Sequence, residues 1–293
     1  MSAIVKLSSE LRTWIDHNLN RGCAPAQLVE SMVEQRFEPW VAAGVIDAFV
    51  VARNTGATLA EDSLTLEAPG DTYESEPPRM ASGNVIQADG RAVPVLLRLA
   101  RPVIAVLGEV LSAEECDQLV ALARPRLAPS TVVDPRTGLD RVAAHRSSEG
   151  MFFFPRETPL IAALDRRLAQ LMGSPEAHGE GLQVLRYGPG TTSTPHFDFL
   201  IPSNPASRQS IARSGQRISS LVVYLNEVAS GGETEFPEVG LSVCPKKGHA
   251  VYFEYCNRRG QLDPRSLHTG GPVLAGEKWA ATKWMRQQPF VSA

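Results

Sequence analysis

The chain is poor in the residues that would staple, anchor or charge it. Its 293 residues include only four cysteines, Cys23, Cys116, Cys244 and Cys256. None stands in C-x-x-C spacing, so neither a zinc knuckle nor a disulfide framework is suggested. Basic residues are not in surplus: 29 Lys and Arg against 32 Asp and Glu give a formal net charge of -3. No basic block forms a phosphate-tracking stripe, and nucleic acid is not expected as a partner. Long apolar runs are missing too, and the start, "MSAIVKLSSELRTW", lacks the basic and apolar regions of a signal peptide. A soluble, cytoplasmic protein without membrane association is expected. There is no internal repeat and no low-complexity segment.

What is present is an ordinary globular composition, 43% hydrophobic and 21% charged, in a chain long enough to bury a core unaided. Residues 1–53 read as a small helical region. "SSELRTWIDHNL" sets Leu11, Trp14, Ile15 and Leu19 at helical spacing behind a serine cap, and "PAQLVESMVEQRF" and "EPWVAAGVIDAFV" carry apolar stripes behind prolines. Residues 54–92, centred on "GDTYESEPPRM", have the composition of a linker.

Residues 93–293 change to strands with occasional helices. "SAEECDQLVALARPRL" opens on a capping box from Ser112 to Glu115, and "TPLIAALDRRLAQLMG" runs from Thr158 and Pro159 to Gly173. Then come eight strand signals between Gly/Pro turns: "GLQVLRY", "TPHFDFL", "RISSLVVYLNE", "GGETEFP", "GLSVCP", "HAVYFEY", "SLHTGG" and "KWAATKWM". Eight short strands argue for a double-sheet roll or barrel with flanking helices.

The chemistry starts at "TPHFDFL". In a strand, residues i and i+2 share a face, so His196 and Asp198 project together while Phe197 and Phe199 face away. That is half a metal site. His268, on a late strand, is a candidate third ligand. Two imidazoles and one carboxylate on one side of a metal suit non-haem Fe(II) that activates oxygen, whereas a zinc hydrolase needs fewer open positions. Ten residues after His268, Lys278 starts a strand on which Lys278, Thr282 and Trp284 share one face. A lysine pointing into a roll needs an anion, such as the far carboxylate of a dicarboxylate co-substrate.

From Arg101 to Phe290 the sequence resembles the Fe(II)/2-oxoglutarate-dependent dioxygenases, and within them the procollagen-like prolyl 4-hydroxylases. The blocks that carry the resemblance are "LSAEECDQLVALARPRL", "HRSSEGMFF", "QVLRYGPG" leading into "PHFD", "VVYLNEVASGGETEFP", "PKKGHAVYF" and "HTGGPVLAGEKWAATKW". The resemblance implies a mainly β fold, a double-stranded β-helix or jelly roll, with iron held by His196, Asp198 and His268. It implies Lys278 as partner of the distal carboxylate of 2-oxoglutarate, with Thr282 and Tyr224 beside it and with Tyr187 and Trp284 lining the pocket. Arg146 and Ser148 match a pair that reaches the substrate peptide.

"STVVDPRTGLDR" and "IPSNPASRQSIARSGQR" match mobile substrate loops. One departure concerns substrate: where many relatives have a tyrosine three residues before the first ligand, this chain has Ser193.

The implied activity is hydroxylation of a prolyl residue in a peptide or protein, with Fe(II), 2-oxoglutarate and O2, succinate and CO2 as products, and ascorbate as reductant. The same oxidation of a free amino acid, small molecule or different side chain is the alternative. Nucleic-acid demethylation on this fold is disfavoured, because that branch anchors 2-oxoglutarate with arginine and none occurs between His268 and Arg286. A non-catalytic binding module is disfavoured because all three implied ligands are present. Oligomeric state is not written in the sequence.

Overall fold

The computed structural model describes residues 2–35, 37–56, 58–60, 62–67, 73–129, 131–133, 140–142, 148–202 and 205–292. The chain divides between Thr72 and Tyr73 into two units.

In the first unit, helices α1 (Ser9–Asn20), α2 (Pro25–Glu34) and α3 (Pro39–Thr55) follow the apolar stripes. The Ser8 side chain caps α1 by accepting from the Leu11 N–H at 3.1 Å, and α2 and α3 begin on prolines whose missing N–H costs a first turn nothing. Ile15, Leu28, Met32, Val45, Ile46 and Phe49 form the core.

The stretch 54–92, read as linker, holds more than that. Ser63–Glu67 pairs antiparallel with Ser2–Lys6, and its Leu64 and Leu66 pack on the helical core, following the alternation of "SLTLE". Further on, Val85–Ala88 and Arg91–Leu99 form a hairpin in the second unit. Its Asp89–Gly90 turn has φ of 49° and 76°, the positive pair that a tight hairpin requires.

The second unit contains the eight expected strands: β1 (Leu182–Tyr187), β2 (Ser193–His196), β3 (Arg217–Tyr224), β4 (Thr234–Phe236), β5 (Leu241–Val243), β6 (Ala250–Glu254), β7 (His268–Gly270) and β8 (Lys278–Arg286). They distribute into two antiparallel sheets, β6-β3-β8-β1 and β2-β7-β4-β5. This interleaved order is that of a jelly roll. Ile104–Leu107, the Val85–Leu99 hairpin, Glu149–Phe153 and Ala128–Pro129 extend the first sheet to nine strands.

Two helices follow their caps. α4 (Ala113–Ala123) carries the Ser112–Glu115 capping box, with bonds of 3.1 and 2.8 Å. α5 (Pro159–Leu171) is capped by Thr158. Gly173, after α5, has φ of 58°, and a Cβ there would lie 2.0 Å from the Arg79 carbonyl oxygen, so only glycine fits. Ile161, Leu164 and Leu168 of α5 join Val184, Val223, Trp279, Ala281 and Met285 of the large sheet in the main core.

Two segments are expected from the sequence to be mobile loops. The second holds α6 (Pro205–Ser214). In the first, Thr131–Val133 pairs with Asp140–Val142, and the rest lies outside the described residues.

Candidate active site

The small sheet sets His196 of β2 directly opposite His268 of β7. Here the strand-face expectation needs correction. β2 ends at His196, where its pairing with the three-residue β7 runs out, so Asp198 lies beyond the strand and Phe197 lines the cavity instead of facing away. Asp198 is brought back by β3: Ser220 Oγ donates to its Oδ2 at 2.5 Å, and Arg217 Nη1 approaches its backbone carbonyl at 3.4 Å. The two carboxylate oxygens then face the imidazoles, Oδ1 at 3.6 Å from His196 Nε2 and Oδ2 at 3.8 Å from His268 Nε2.

Each ring is oriented from behind. His196 Nδ1 lies 2.8 Å from the Thr194 carbonyl and His268 Nδ1 lies 3.1 Å from the Ser266 carbonyl. A carbonyl accepts only, so Nδ1 is the donor on each ring and Nε2 points at the common centre. Burial pushes the His268 imidazolium toward the neutral ring. Burial also pushes Asp198 up, but the two imidazoles, Arg217 and Ser220 outweigh it and hold the carboxyl below its usual range. Ligand atoms of the three residues lie within 4.8 Å of one another, and no fourth His, Cys, Asp or Glu joins them among the described residues. Two imidazoles and one carboxylate on one side of a point are a donor set that could hold Fe(II) with positions to spare.

The triad opens into a cavity of about 260 Å³. Lys278, Ala280, Thr282 and Trp284 of β8 form one wall, with Gln183, Leu185 and Tyr187 of β1 beside them. The alternation of "KWAATKW" reads correctly. Lys278 is buried, its Nζ 5.7 Å from the Tyr187 ring centroid and 5.5 Å from that of Tyr224. It has no ion-pair or hydrogen-bond partner among the described residues. Burial lowers its pKa to about 8, against the opposing charge of Glu233. A cationic tip in an apolar pocket favours an anion there.

Of the other sequence candidates, Tyr187, Thr282, Trp284 and Ser148 line the cavity. Tyr224 does not: it is fully buried, and its hydroxyl donates to Thr234 Oγ1 at 2.8 Å, so it presents its ring to Lys278 and no free hydroxyl. Arg146 lies outside the described residues. Sequence reasoning missed Arg217, Gln183, Thr234 and Ser220. Gln183 was within reach, since it shares the alternation of Leu185 and Tyr187. Arg217 was not, because a register shift between Arg217 and Ser219 decides where it points.

Residues 182–286 match the model of the 2OG-Fe(II) oxygenase superfamily. The chain is 44% identical over 202 residues to prolyl 4-hydroxylase 1 of Arabidopsis thaliana, covering 64% of this chain and 70% of that one. It is 36% identical over 211 residues to prolyl 4-hydroxylase subunit alpha-1 of Gallus gallus, covering 72% of this chain but 39% of the longer relative. Among solved structures, the viral collagen prolyl hydroxylase from Paramecium Bursaria Chlorella virus-1 in complex with 2OG aligns at 29% identity with a TM-score of 0.49. That alignment covers 62% of this chain and 95% of the viral one.

Proposed function

The chain belongs to the prolyl 4-hydroxylases of the 2OG-Fe(II) oxygenase superfamily, and from that premise we propose that it hydroxylates a prolyl residue in a peptide or protein. The balanced reaction takes 2-oxoglutarate, O2 and a C–H bond to succinate, CO2 and a C–OH group. The observation that carries the reading is one cavity holding both the His196, Asp198, His268 triad and the buried ammonium of Lys278.

The residues fit their cofactors by the chemistry of their donors. His196, Asp198 and His268 would hold Fe(II), and Lys278 would take the far carboxylate of 2-oxoglutarate. Once bound, Fe(II) and 2-oxoglutarate supply the oxidising power that a C–H bond demands.

The chain supplies placement. The carbonyls of Thr194 and Ser266 fix the imidazole tautomers, and Ser220 fixes the carboxylate. Leu185, Val222 and Phe197 give the cavity apolar walls, which strengthens the ion pair that Lys278 can make. Tyr187, Thr282, Trp284 and Ser148 line the same cavity as Lys278, where the prolyl residue would enter, and by its resemblance Arg146 is assigned to the same peptide.

The test is tandem mass spectrometry on proline-containing peptides incubated with the protein, Fe(II), 2-oxoglutarate and ascorbate, with succinate measured alongside and His196→Ala as control. One added oxygen on proline, absent from the control, is the expected result. Succinate release without any modified prolyl peptide would overturn the substrate class and keep the cofactor chemistry.

A further inference from the structure

The register of β3 and β8 sets Arg217 directly opposite Arg286. Two guanidinium groups facing each other across an antiparallel pair repel, and here Arg286 is buried and Arg217 mostly so. Glu180, buried just before β1, resolves the conflict. Its Oε1 accepts from Arg217 Nε at 2.7 Å and from Arg286 Nη1 at 2.9 Å, and its Oε2 accepts from Arg217 Nη2 at 2.8 Å. Burial pushes the Glu180 carboxyl up, but the two cations outweigh it and keep the group ionised.

The two arginines reach in different directions. Arg217 lies over the Trp284 ring at 4.1 Å, touches the Asp198 carbonyl and lines the cavity. Arg286 does not line the cavity. It grips the end of α6, donating to the Ser210 carbonyl at 2.8 Å, to Ser210 Oγ at 3.2 Å and to the Gly215 carbonyl at 3.1 Å. The neck of the same excursion is closed by Gln216, which accepts from the Leu200 N–H at 2.7 Å and donates to the Leu200 carbonyl at 2.8 Å. The α6 excursion therefore leaves the fold two residues after one member of the triad and returns at the residue before Arg217.

We infer that Glu180 is a positioning residue that couples the α6 excursion to the cavity wall: helix and wall cation hold one arrangement only while Glu180 carries both arginines. One consequence rests on the prolyl-hydroxylase reading above. Glu180 and Arg286, neither of which lines the substrate cavity, then help set the KM for peptide.

The test has two arms. Hydrogen exchange of the metal-free protein reads the coupling itself. Arg286→Gln and Glu180→Gln speed exchange of the α6 amides about tenfold, and so does Arg217→Gln, although the Arg217 side chain makes no hydrogen bond or ion pair to the described residues of α6. Unchanged α6 exchange in Arg217→Gln would overturn the coupling. Should Glu180→Gln fail to fold, Ser210→Ala, which trims only the hydroxyl contacts, still reads the anchor, with an expected rise of roughly twofold to threefold.

The kinetic arm uses the Fe(II)-loaded full chain. Arg286→Gln raises the peptide KM about fivefold while the 2-oxoglutarate KM and peptide-independent succinate release stay at the parent level. Faster α6 exchange with an unchanged peptide KM would reduce Arg286 to a structural anchor and overturn its role. If the parent chain hydroxylates no prolyl peptide, it is the prolyl reading that fails, and the exchange arm alone decides the coupling.

Discussion

The two faces of β8 are built from the same strand and to different ends. All nine residues from Lys278 to Arg286 are buried. On the face toward α5, the polar tips are matched within the protein. Lys283 Nζ donates to Asp165 Oδ1 at 2.7 Å and to the Glu180 carbonyl, and Trp279 Nε1 donates to Glu277 Oε1 at 2.9 Å. On the cavity face, Lys278 and the Nε1 of Trp284 have no hydrogen-bond partner among the described residues. Native interiors rarely leave buried donors unmatched, because each costs the loss of its water. From Lys278 to Trp284 one face is made to hold the fold and the other to meet a ligand, and the two lysines five residues apart mark the division.

The largest break falls on the cavity side, at the carboxylate that joins β3 to the small sheet. Asp198→Ala leaves two imidazoles without their negative partner, and product formation falls at least ~1,000-fold. Calorimetric titration with Mn(II) checks the cause: binding at parent affinity would show that the triad is not the metal site.

Next comes the pair of lysines, which should separate cleanly. Lys278→Met removes a charge-assisted contact to the co-substrate and raises the 2-oxoglutarate KM roughly 100-fold. The same change relieves a buried cation that lacks an anionic partner in the protein, so the melting temperature does not fall. Lys283→Met does the reverse. It strands the buried Asp165 and costs about 3 kcal/mol, or on the order of 10 °C in Tm, while the 2-oxoglutarate KM holds. If both variants moved both quantities alike, the division of the strand would be wrong.

Lys278 also gives the comparison a pH axis. Its ordinary value is 10.5 and burial lowers it to about 8 in the folded protein. Below pH 8 the ammonium is charged and can hold a carboxylate. Above it, affinity for 2-oxoglutarate falls by up to about tenfold per pH unit. Stability of the cofactor-free protein runs the other way. Between pH 8 and 10.5 the unfolded chain binds more protons than the folded one, so the stability contributed by this group rises with pH. Lys278→Met flattens both dependences, and a 2-oxoglutarate affinity profile in that variant identical to the parent's would remove Lys278 from the co-substrate.

The division was partly legible in one dimension. All eight roll strands stand out because short alternating runs are separated by Gly and Pro turns, and the same alternation puts Lys278, Thr282 and Trp284 together. The His-x-Asp spacing pairs residues that do meet, but through another geometry: Asp198 meets His196 because Ser220 and Arg217 hold it from a strand about twenty residues later. Tyr224 fits the same sort of alternation, yet its hydroxyl is taken by Thr234 on the facing sheet, a contact that only closure of the roll creates. Arg217 depends on a bulge. In the stretch 54–92 the Asp89–Gly90 turn was a readable hairpin signal, hidden by the acids, glycines and prolines before it.

The smallest expected effect tests the cavity face without touching charge. Thr282 sits between Lys278 and Trp284 on the wall, is buried, and makes no hydrogen bond to a described residue. Its register neighbours are Gln183 of β1 and Val222 of β3, both on the same wall. Thr282→Val keeps the β-branched shape and the strand, and removes only the hydroxyl. On a face made to hold the fold, such a change disturbs stability by trading a bonded hydroxyl for a methyl. On a face made for a ligand, it leaves stability within about 0.5 kcal/mol and weakens 2-oxoglutarate binding by roughly fivefold, the worth of one modest hydrogen bond. Titration of 2-oxoglutarate alongside thermal melting reads both at once. A drop in Tm with an unchanged 2-oxoglutarate KM would assign Thr282 to the fold and shrink the ligand-facing part of β8 to Lys278 and Trp284.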